Sequence, residues 1–480
     1  MVNRLIYFLL LAFITVDTVY SYRQHASAPL DGDIAESVLP GDNFKPLFSS
    51  PMGFTAIAND VHYPNPNRFF MHWPFQVYMM QMPIYLQRFM DPISSVYTAA
   101  ALAKTFIQLS LVFLLAMAIT GTYNVLCLKF MLAAALLTPL FQTDGFRGLM
   151  GIIDPSITYT FSYALPCLFM LIYFLPFIFR YYHNKPIAPN AILYPVLIAL
   201  SVIVCLSGPL NPGIVLVFAL IAFSTAFLHR FNLSEKKGIA TKFIAAFQDL
   251  PRFYWWYFTP VSLLALYSLY LGQYNEHNQI WSISLSELYA RLPTGIFHLL
   301  SEKIAYPVLL ISIAINVIII KKLNIVGGNK VISVLKWIGL FALIYILLLP
   351  LGGYRPYRPL VLRYDTIMPI TLGLFFVFGG STLAILNHLK GKKQLLYLPI
   401  VFAVVLIYSF ADQAKLDKNA CEQLALQTIA ESPESMVVLN SSCSVLSWFT
   451  ITDPSKSEQN ARLIKAWRIT DSKKLYYSKE

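Results

Sequence analysis

The sequence predicts an all-α polytopic membrane protein of about 11 transmembrane helices. A long first outer loop carries interfacial helices, and a small C-terminal α/β tail lies outside the membrane. Three observations carry this reading. The 480-residue chain is 57% hydrophobic and only 12% charged, where a soluble domain has roughly a quarter of its residues charged. Apolar runs recur as far as Phe410, most of them near the length that crosses a hydrocarbon layer. Lys and Arg gather in short links between these runs, as topology determinants do. The formal net charge of +12 has no basic stripe with interleaved aromatics behind it, so nucleic acid is set aside as a partner.

The first segment, Leu5 to Tyr20 behind Arg4, is short for a span. Ala26-Ser27-Ala28 resembles a signal-peptidase site, so removal of the segment stands as an alternative. Either way Asp31 and Asp33 finish on the side of the membrane away from the cytoplasm. Residues 21–100 form the first outer loop, polar at its start, then rich in Pro and aromatics through Tyr63-Pro64-Asn65-Pro66 and Met71-His72-Trp73-Pro74. Phe75 to Phe89 is too polar to span and too apolar for water, which predicts one or two helices lying along the surface.

Ten further spans are expected near 105–121, 126–142, 158–180, 191–207, 212–228, 254–272, 304–320, 331–350, 366–387 and 395–410. With the N-terminus in the cytoplasm, the cation-bearing links around Lys129, Arg180, Lys236, Lys321 and Lys392 all fall inside. The opposite short loops carry few cations, chiefly Arg147, Arg291, Lys303 and one cluster after the ninth span. The membrane part thus occupies 1–410 and the tail 411–480. In the tail, Lys418 to Glu431 reads as a helix and Ser435 to Leu439 as a strand. Cys421 and Cys443 bridge there if the compartment oxidises thiols. Cys127, Cys167 and Cys205 read as small core residues, and no Cys/His spacing suggests zinc.

The chemistry centres on Leu30-Asp31-Gly32-Asp33-Ile34-Ala35-Glu36, three acids within six positions. The plain reading is a solvated loop. The functional reading notes that Gly32 permits a sharp turn, so that both aspartates converge on one point. A carboxylate there takes a proton from an acceptor hydroxyl, a contribution of roughly 10²–10⁴ in rate. Alternatively the pair holds a divalent cation, Mg or Mn, that neutralises a departing phosphate. Asp33 is preferred as base and Asp31 as its partner or a metal ligand, although the spacing does not order them.

One span, an acidic motif in a long first outer loop with surface helices, then many spans: this layout resembles the GT-C fold of membrane glycosyltransferases. Relatives in that superfamily include protein O-mannosyltransferases and lipid A aminoarabinose transferases. The resemblance implies a sugar donor on a polyprenyl-phosphate carrier, a catalytic aspartate in the first outer loop and inversion at the anomeric centre. Asp31-Gly32-Asp33 departs from the adjacent acids common in that family, so which aspartate corresponds is left open.

A second cluster lies in the loop after the ninth span, where Arg355, Arg358 and Arg363 accompany Tyr354 and Tyr357 against the positive-inside trend. They are read as a clamp for the carrier's phosphate, since guanidinium offers phosphate oxygens a fixed fork of donors. The plain reading is headgroup contact or an ion pair with Asp365. His62, Arg68 and His72 are further candidates for touching sugar or phosphate. Asp144, Arg147 and Asp154 form an outer polar group expected to support the pocket. Trp255 and Trp256 read as an aromatic belt, and Asp17, within or at the end of the first span, as an acid snorkelling to the interface. No P-loop or other nucleotide motif is present.

The expectation is therefore an integral membrane glycosyltransferase, probing a lipid, glycan or protein acceptor at the outer face of a bacterial inner membrane. Its tail would be periplasmic. The alternative is a transporter or flippase of lipid or polysaccharide, which calls for ionisable or helix-breaking residues at mid-membrane.

Overall fold

The computed structural model describes residues 2–142, 150–185, 192–236, 238–276, 283–302, 304–352, 358–411 and 416–479. The chain opens with α1 (Val2–Ala26). The first loop folds into the short helices α2 (Ile34–Val38), α3 (Lys45–Ser49) and α4 (Phe54–Asn59), then the long α5 (Phe69–Leu86). Next come α6 (Pro92–Thr120), α7 (Leu128–Leu137, prolonged by a 3-10 turn to Phe141) and α8 (Ile157–His183). They are followed by α9 (Leu193–Cys205), α10 (Asn211–Leu233), α11 (Ile239–Gln248), α12 (Arg252–Leu271) and α13 (Leu285–Ser301). The last bundle helices are α14 (Ala305–Lys322), α15 (Val326–Leu348), α16 (Met368–His388) and α17 (Lys392–Ala411). The tail adds α18 (Ala420–Glu431), β1 (Met436–Leu439), α19 (Glu458–Ala466) and β2 (Leu475–Ser478).

Every expected span coincides with a helix. Among the described residues, 8 of these helices are long and apolar enough to cross a membrane, namely α1, α6, α8, α10 and α14–α17, so the chain is an integral membrane protein. The α7 and α9 helices are apolar but shorter, and α12 is not among the eight. Surface helix was expected after Phe75, and α5 is a single helix of 18 residues there, not counted among the spanning eight.

Local sequence explains the best-defined boundaries. The Asp91 side chain accepts from Ser94 N at 2.9 Å and Pro92 fills the first turn of α6, while Gly121 ends it at φ 69°. Along α6, Ala99, Ala100, Ala101, Ala103, Ala116 and Ala118 are buried, and these small side chains let α1, α5, α7 and α8 approach closely. The α8 helix starts at Ser156, whose hydroxyl accepts from Tyr159 N, and passes through a π-turn over Thr160–Ala164. Such turns widen a helix and often mark functional sites. In the bundle α6, α8 and α16 are the most enclosed spans, and α1, α15 and α17 the most peripheral.

One expectation needs correction. Asp17 lies within the first span but does not snorkel. The α1 helix runs on to Ala26, which leaves Asp17 within it at 6% exposure, accepting from Gln142 Nε2 at 3.0 Å. A buried partner has replaced snorkelling. The tail has the expected small α/β form and docks on the rest of the chain. Its expected helix and strand form, β1 pairs in parallel with β2, and Cys421 is bridged to Cys443 with Cα atoms 5.9 Å apart. The unit packs down on the first loop through Trp467, whose Nε1 donates to Met79 O at 2.8 Å, and Asn419, whose Nδ2 donates to Ala26 O at 2.9 Å.

Candidate functional site

The acid loop lies where α1 ends, α8 begins and the C-terminal unit docks. Its two aspartates have separate tasks. Asp31 is 4% exposed and both its oxygens are taken. Oδ2 accepts from Ser156 Oγ at 2.7 Å and Thr158 N at 3.1 Å, and Oδ1 from Thr158 Oγ1 at 2.7 Å and Asp33 N at 3.1 Å. Burial pushes the Asp31 carboxyl up, and the Ser156 and Thr158 donors oppose that. With four donors aimed at it, Asp31 ties the loop to the start of α8.

Asp33 stands at the N-terminal boundary of α2 but does not cap it. It is half-buried; its Oδ1 accepts from Trp448 Nε1 at 3.0 Å, and its Oδ2 has no hydrogen-bond partner among the described residues. The expected convergence of both carboxylates on one point is replaced by this division, and a cation at Asp31 would have to displace Ser156 or Thr158. Among the described residues, no group of three or more His, Cys, Asp or Glu is placed to hold a metal. Gly32 lies in the expected turn, where Ile34 N donates to Asp31 O at 3.3 Å, but a second constraint acts on it. Its φ is outside the left-handed region, but a Cβ would come within 2.5 Å of Trp448 Cδ1 and 2.6 Å of Trp448 N. Glycine is needed there for close approach.

Tyr159, on the first turn of α8, joins this carboxylate to a cation. Trp448 stacks on its ring with centroids 5.6 Å apart and planes 26° apart. The Arg358 Cζ lies 4.7 Å from the same ring centroid, while Nη2 donates to the Tyr159 hydroxyl and Nη1 to that of Tyr163 at 3.3 Å. Asp33 and Arg358 both act electrostatically on the Tyr159 hydroxyl. Burial pulls the Arg358 guanidinium down, but Tyr163, Tyr159 and Asp365 more than offset it, so the group is held cationic. Arg358 Nη1 also lies 3.7 Å from Asp365 Oδ2. Arg363 holds the same carboxylate more closely, its Nε and Nη2 pairing with it at 3.1 and 3.0 Å, which is the ion pair of the plain reading. Tyr354, Arg355, Tyr357, Asp144 and Arg147 lie outside the described residues.

Asp154 adds a second acid in the loop before α8. Its Oδ1 accepts from Ser156 N at 2.8 Å, and burial pushes its carboxyl up to about 6, opposed by that bond and by Lys104. Lys104 is 1% exposed on α6 and donates to Pro155 O, bracing the same loop from below. His72 is placed elsewhere. It is buried with Asn65, whose Nδ2 lies 3.3 Å from its Nε2, and with Phe44, and burial lowers it to about 3, which keeps it neutral. Arg68 precedes α5 in the same region, where its carbonyl accepts from His72 N. His62 packs against Tyr274.

Beneath the site lies an apolar cavity of about 260 Å³ between α6, α8, α10, α15 and α16, lined by residues such as Met170, Phe174, Phe218, Phe341 and Leu372. Cys167 on its wall is one helical turn below Tyr163, and Pro369 is four residues beyond Asp365. The cavity wall thus begins one helical turn along α8 from Tyr163 and extends as far as Tyr181 and Tyr254.

Sequence reasoning missed Tyr159, Tyr163, Lys104, Glu422 and Trp448. A lysine amid the apolar and small residues of α6 was a visible signal. So was Trp448-Phe449, two aromatics in a polar tail, at 46% and 81% exposure. Glu422 is buried and takes donors from three elements. Oε2 accepts from Leu30 N and the Tyr97 hydroxyl, both at 2.8 Å, and Oε1 from Leu446 N at 2.9 Å. No protein-family model, curated protein or solved structure matches the chain.

Proposed function

We propose that this chain is an integral membrane glycosyltransferase of the GT-C type, moving a sugar from a polyprenyl-phosphate carrier to a hydroxyl of a lipid, glycan or protein. The observation that carries the reading is Asp33, with one oxygen held by Trp448 and the other left open, sharing Tyr159 with the Arg358 cation above an apolar cavity. Asp33 takes the acceptor's proton as its oxygen attacks the anomeric carbon. The bond from that carbon to the carrier phosphate breaks with inversion, and the electron pair leaves on phosphate. Arg358, beside Asp365 and the Tyr159 and Tyr163 hydroxyls, is the cation assigned to the developing charge, whose stabilisation is commonly the largest catalytic contribution. The cavity gives the carrier's isoprenoid chain an apolar lining next to the phosphate position. If a divalent cation takes part, Asp33 is the aspartate with an oxygen to offer it.

The reading includes the full set of eleven spans, a cytoplasmic N-terminus and a C-terminal unit on the periplasmic face of a bacterial inner membrane. The test is transfer from a radiolabelled polyprenyl-phosphate sugar pool in membranes, at matched expression. Asp33→Asn is expected to abolish transfer while donor binding persists, and Arg358→Ala to weaken donor binding first. Transfer by Asp33→Asn at the wild-type rate would overturn the assignment.

A second reading, a transporter or flippase, is favoured by one observation. Buried polar side chains line the α1–α6 contact, where Gln108 joins Ser21 at 3.1 Å and His25 at 3.0 Å, with Asp17 on Gln142 nearby. Label crossing the membrane without any sugar transfer would select it.

A further inference from the structure

Three separate contacts bring the C-terminal unit onto the acid loop. The Trp448 indole donates to Asp33 Oδ1 at 3.0 Å. Gly32 lacks the Cβ that would collide with Trp448 at 2.5 Å. Glu422 holds Leu30 N with one oxygen and Leu446 N with the other, so a single buried carboxylate clasps the acid loop to the loop that carries Trp448. That second loop is fixed elsewhere too. Asn460 Nδ2 donates to Leu446 O at 3.1 Å, the Tyr476 hydroxyl to Val445 O at 2.7 Å, and Cys443 is bridged to Cys421. A solvated tail would need none of this. A loop held from both sides, with its indole N–H on the one open aspartate, is built to set that aspartate's orientation.

We propose that the loop at 440–452 is a positioning element of the site, in which Trp448 fixes the Asp33 carboxylate so that Oδ2 faces the incoming acceptor hydroxyl. The proposal rests on the transferase reading. Trp448 touches neither reacting bond in this scheme; it acts through Asp33. Its indole also stacks on Tyr159, the residue that Arg358 engages, so one ring sets the relative placement of the base and the phosphate cation. A carboxylate free to rotate would spend part of its time with neither oxygen aimed at the acceptor, and misplacement of a reacting group by about 1 Å can cost on the order of 100-fold.

The test compares full-length wild type, Trp448→Phe, Gly32→Ala and the double variant in lipid nanodiscs. It reads kcat and donor KM for sugar transfer together with hydrogen–deuterium exchange over residues 30–39. Trp448→Phe keeps the ring and loses the N–H; Gly32→Ala keeps the indole and pushes it away. Each is expected to lower kcat on the order of tenfold with donor KM within about twofold, and the double variant to fall no lower than the worse single, because both break one contact. Exchange over 30–39 is expected to rise in Gly32→Ala. Unchanged kcat in both singles, or losses that multiply, would overturn the proposal. If wild type transfers nothing, the transferase reading fails on its own. Exchange then decides the remainder: a rise in Gly32→Ala keeps the loop as the holder of Asp33, and no rise removes it.

Discussion

Asp31 and Thr158 are joined twice, the Thr158 main-chain N–H reaching Oδ2 at 3.1 Å and its hydroxyl reaching Oδ1 at 2.7 Å. A carboxylate gripped by one residue through two donors is a structural joint. Asp31→Ala would leave the Ser156 and Thr158 donors buried without their acceptor, at a cost of about 3 kcal/mol. Asp33→Ala gives up one bond at a half-exposed position and is expected to cost under about 1 kcal/mol. Thermal unfolding of the two variants in the same detergent checks the ordering; equal shifts would mean that both acids are structural.

Glu422 gives a pH signature. Burial pushes its carboxyl up to about 7, against the pull of Leu446 N, Leu30 N and the Tyr97 hydroxyl. The folded state therefore holds this proton more tightly than the unfolded chain, whose value is near 4.5. Its stabilising contribution is complete below about pH 4.5 and is lost as pH rises through 7. Glu422→Gln cannot titrate. The stability of wild type relative to Glu422→Gln should thus decline between pH 5 and 7, then level off. Melting curves across that range decide it, and a flat difference would refute the burial.

The Cys421–Cys443 bridge closes a segment with a sequence separation of 22. Loop-closure entropy puts its contribution at about 3 kcal/mol. Reduction of the intact protein is expected to expose the 440–452 segment to limited proteolysis before any bundle helix is cut. Identical cleavage patterns with and without reductant would show that the remaining contacts suffice.

Asn316 pins three helices, with Nδ2 donating to Ser381 Oγ at 2.9 Å and Thr382 Oγ1 at 3.1 Å and Oδ1 accepting from Tyr397 at 2.7 Å. Asn316→Leu on α14 keeps the volume near constant but strands the Tyr397 hydroxyl. A loss of about 1 kcal/mol is expected from the usual worth of such bonds within a bundle. Unfolding in mild detergent measures it.

What was legible in the sequence was local. Helix positions follow from apolar runs and their punctuation, so Gly121 ends α6 where the span was expected to end, but the helix begins at Pro92, well before the expected 105, because Asp91 and Pro92 start it within the polar loop. Asp33 and Arg358 stood out because charge is conspicuous in so apolar a chain. The rest was long-range. Spacing does not distinguish Asp31, saturated by residues of α8, from Asp33, whose partner lies 415 positions away. Gly32 was legible as a turn residue, but the close approach that also requires it was not, because the body pressing on it comes from the tail. Snorkelling was expected of Asp17 because the polar residues after Tyr20 looked like the end of α1; they continue it instead, their side chains finding partners such as Gln108 inside the bundle.

The bond from Leu30 N to Glu422 spans 392 positions of chain. During synthesis, then, the acid loop emerges 392 residues before Glu422. Until Glu422 and Trp448 have been made and brought to it, Leu30 lacks that acceptor and Asp33 lacks its indole. The spans between them are synthesised before the segment that clasps the loop, so a chain interrupted ahead of Glu422 would carry Asp33 unheld.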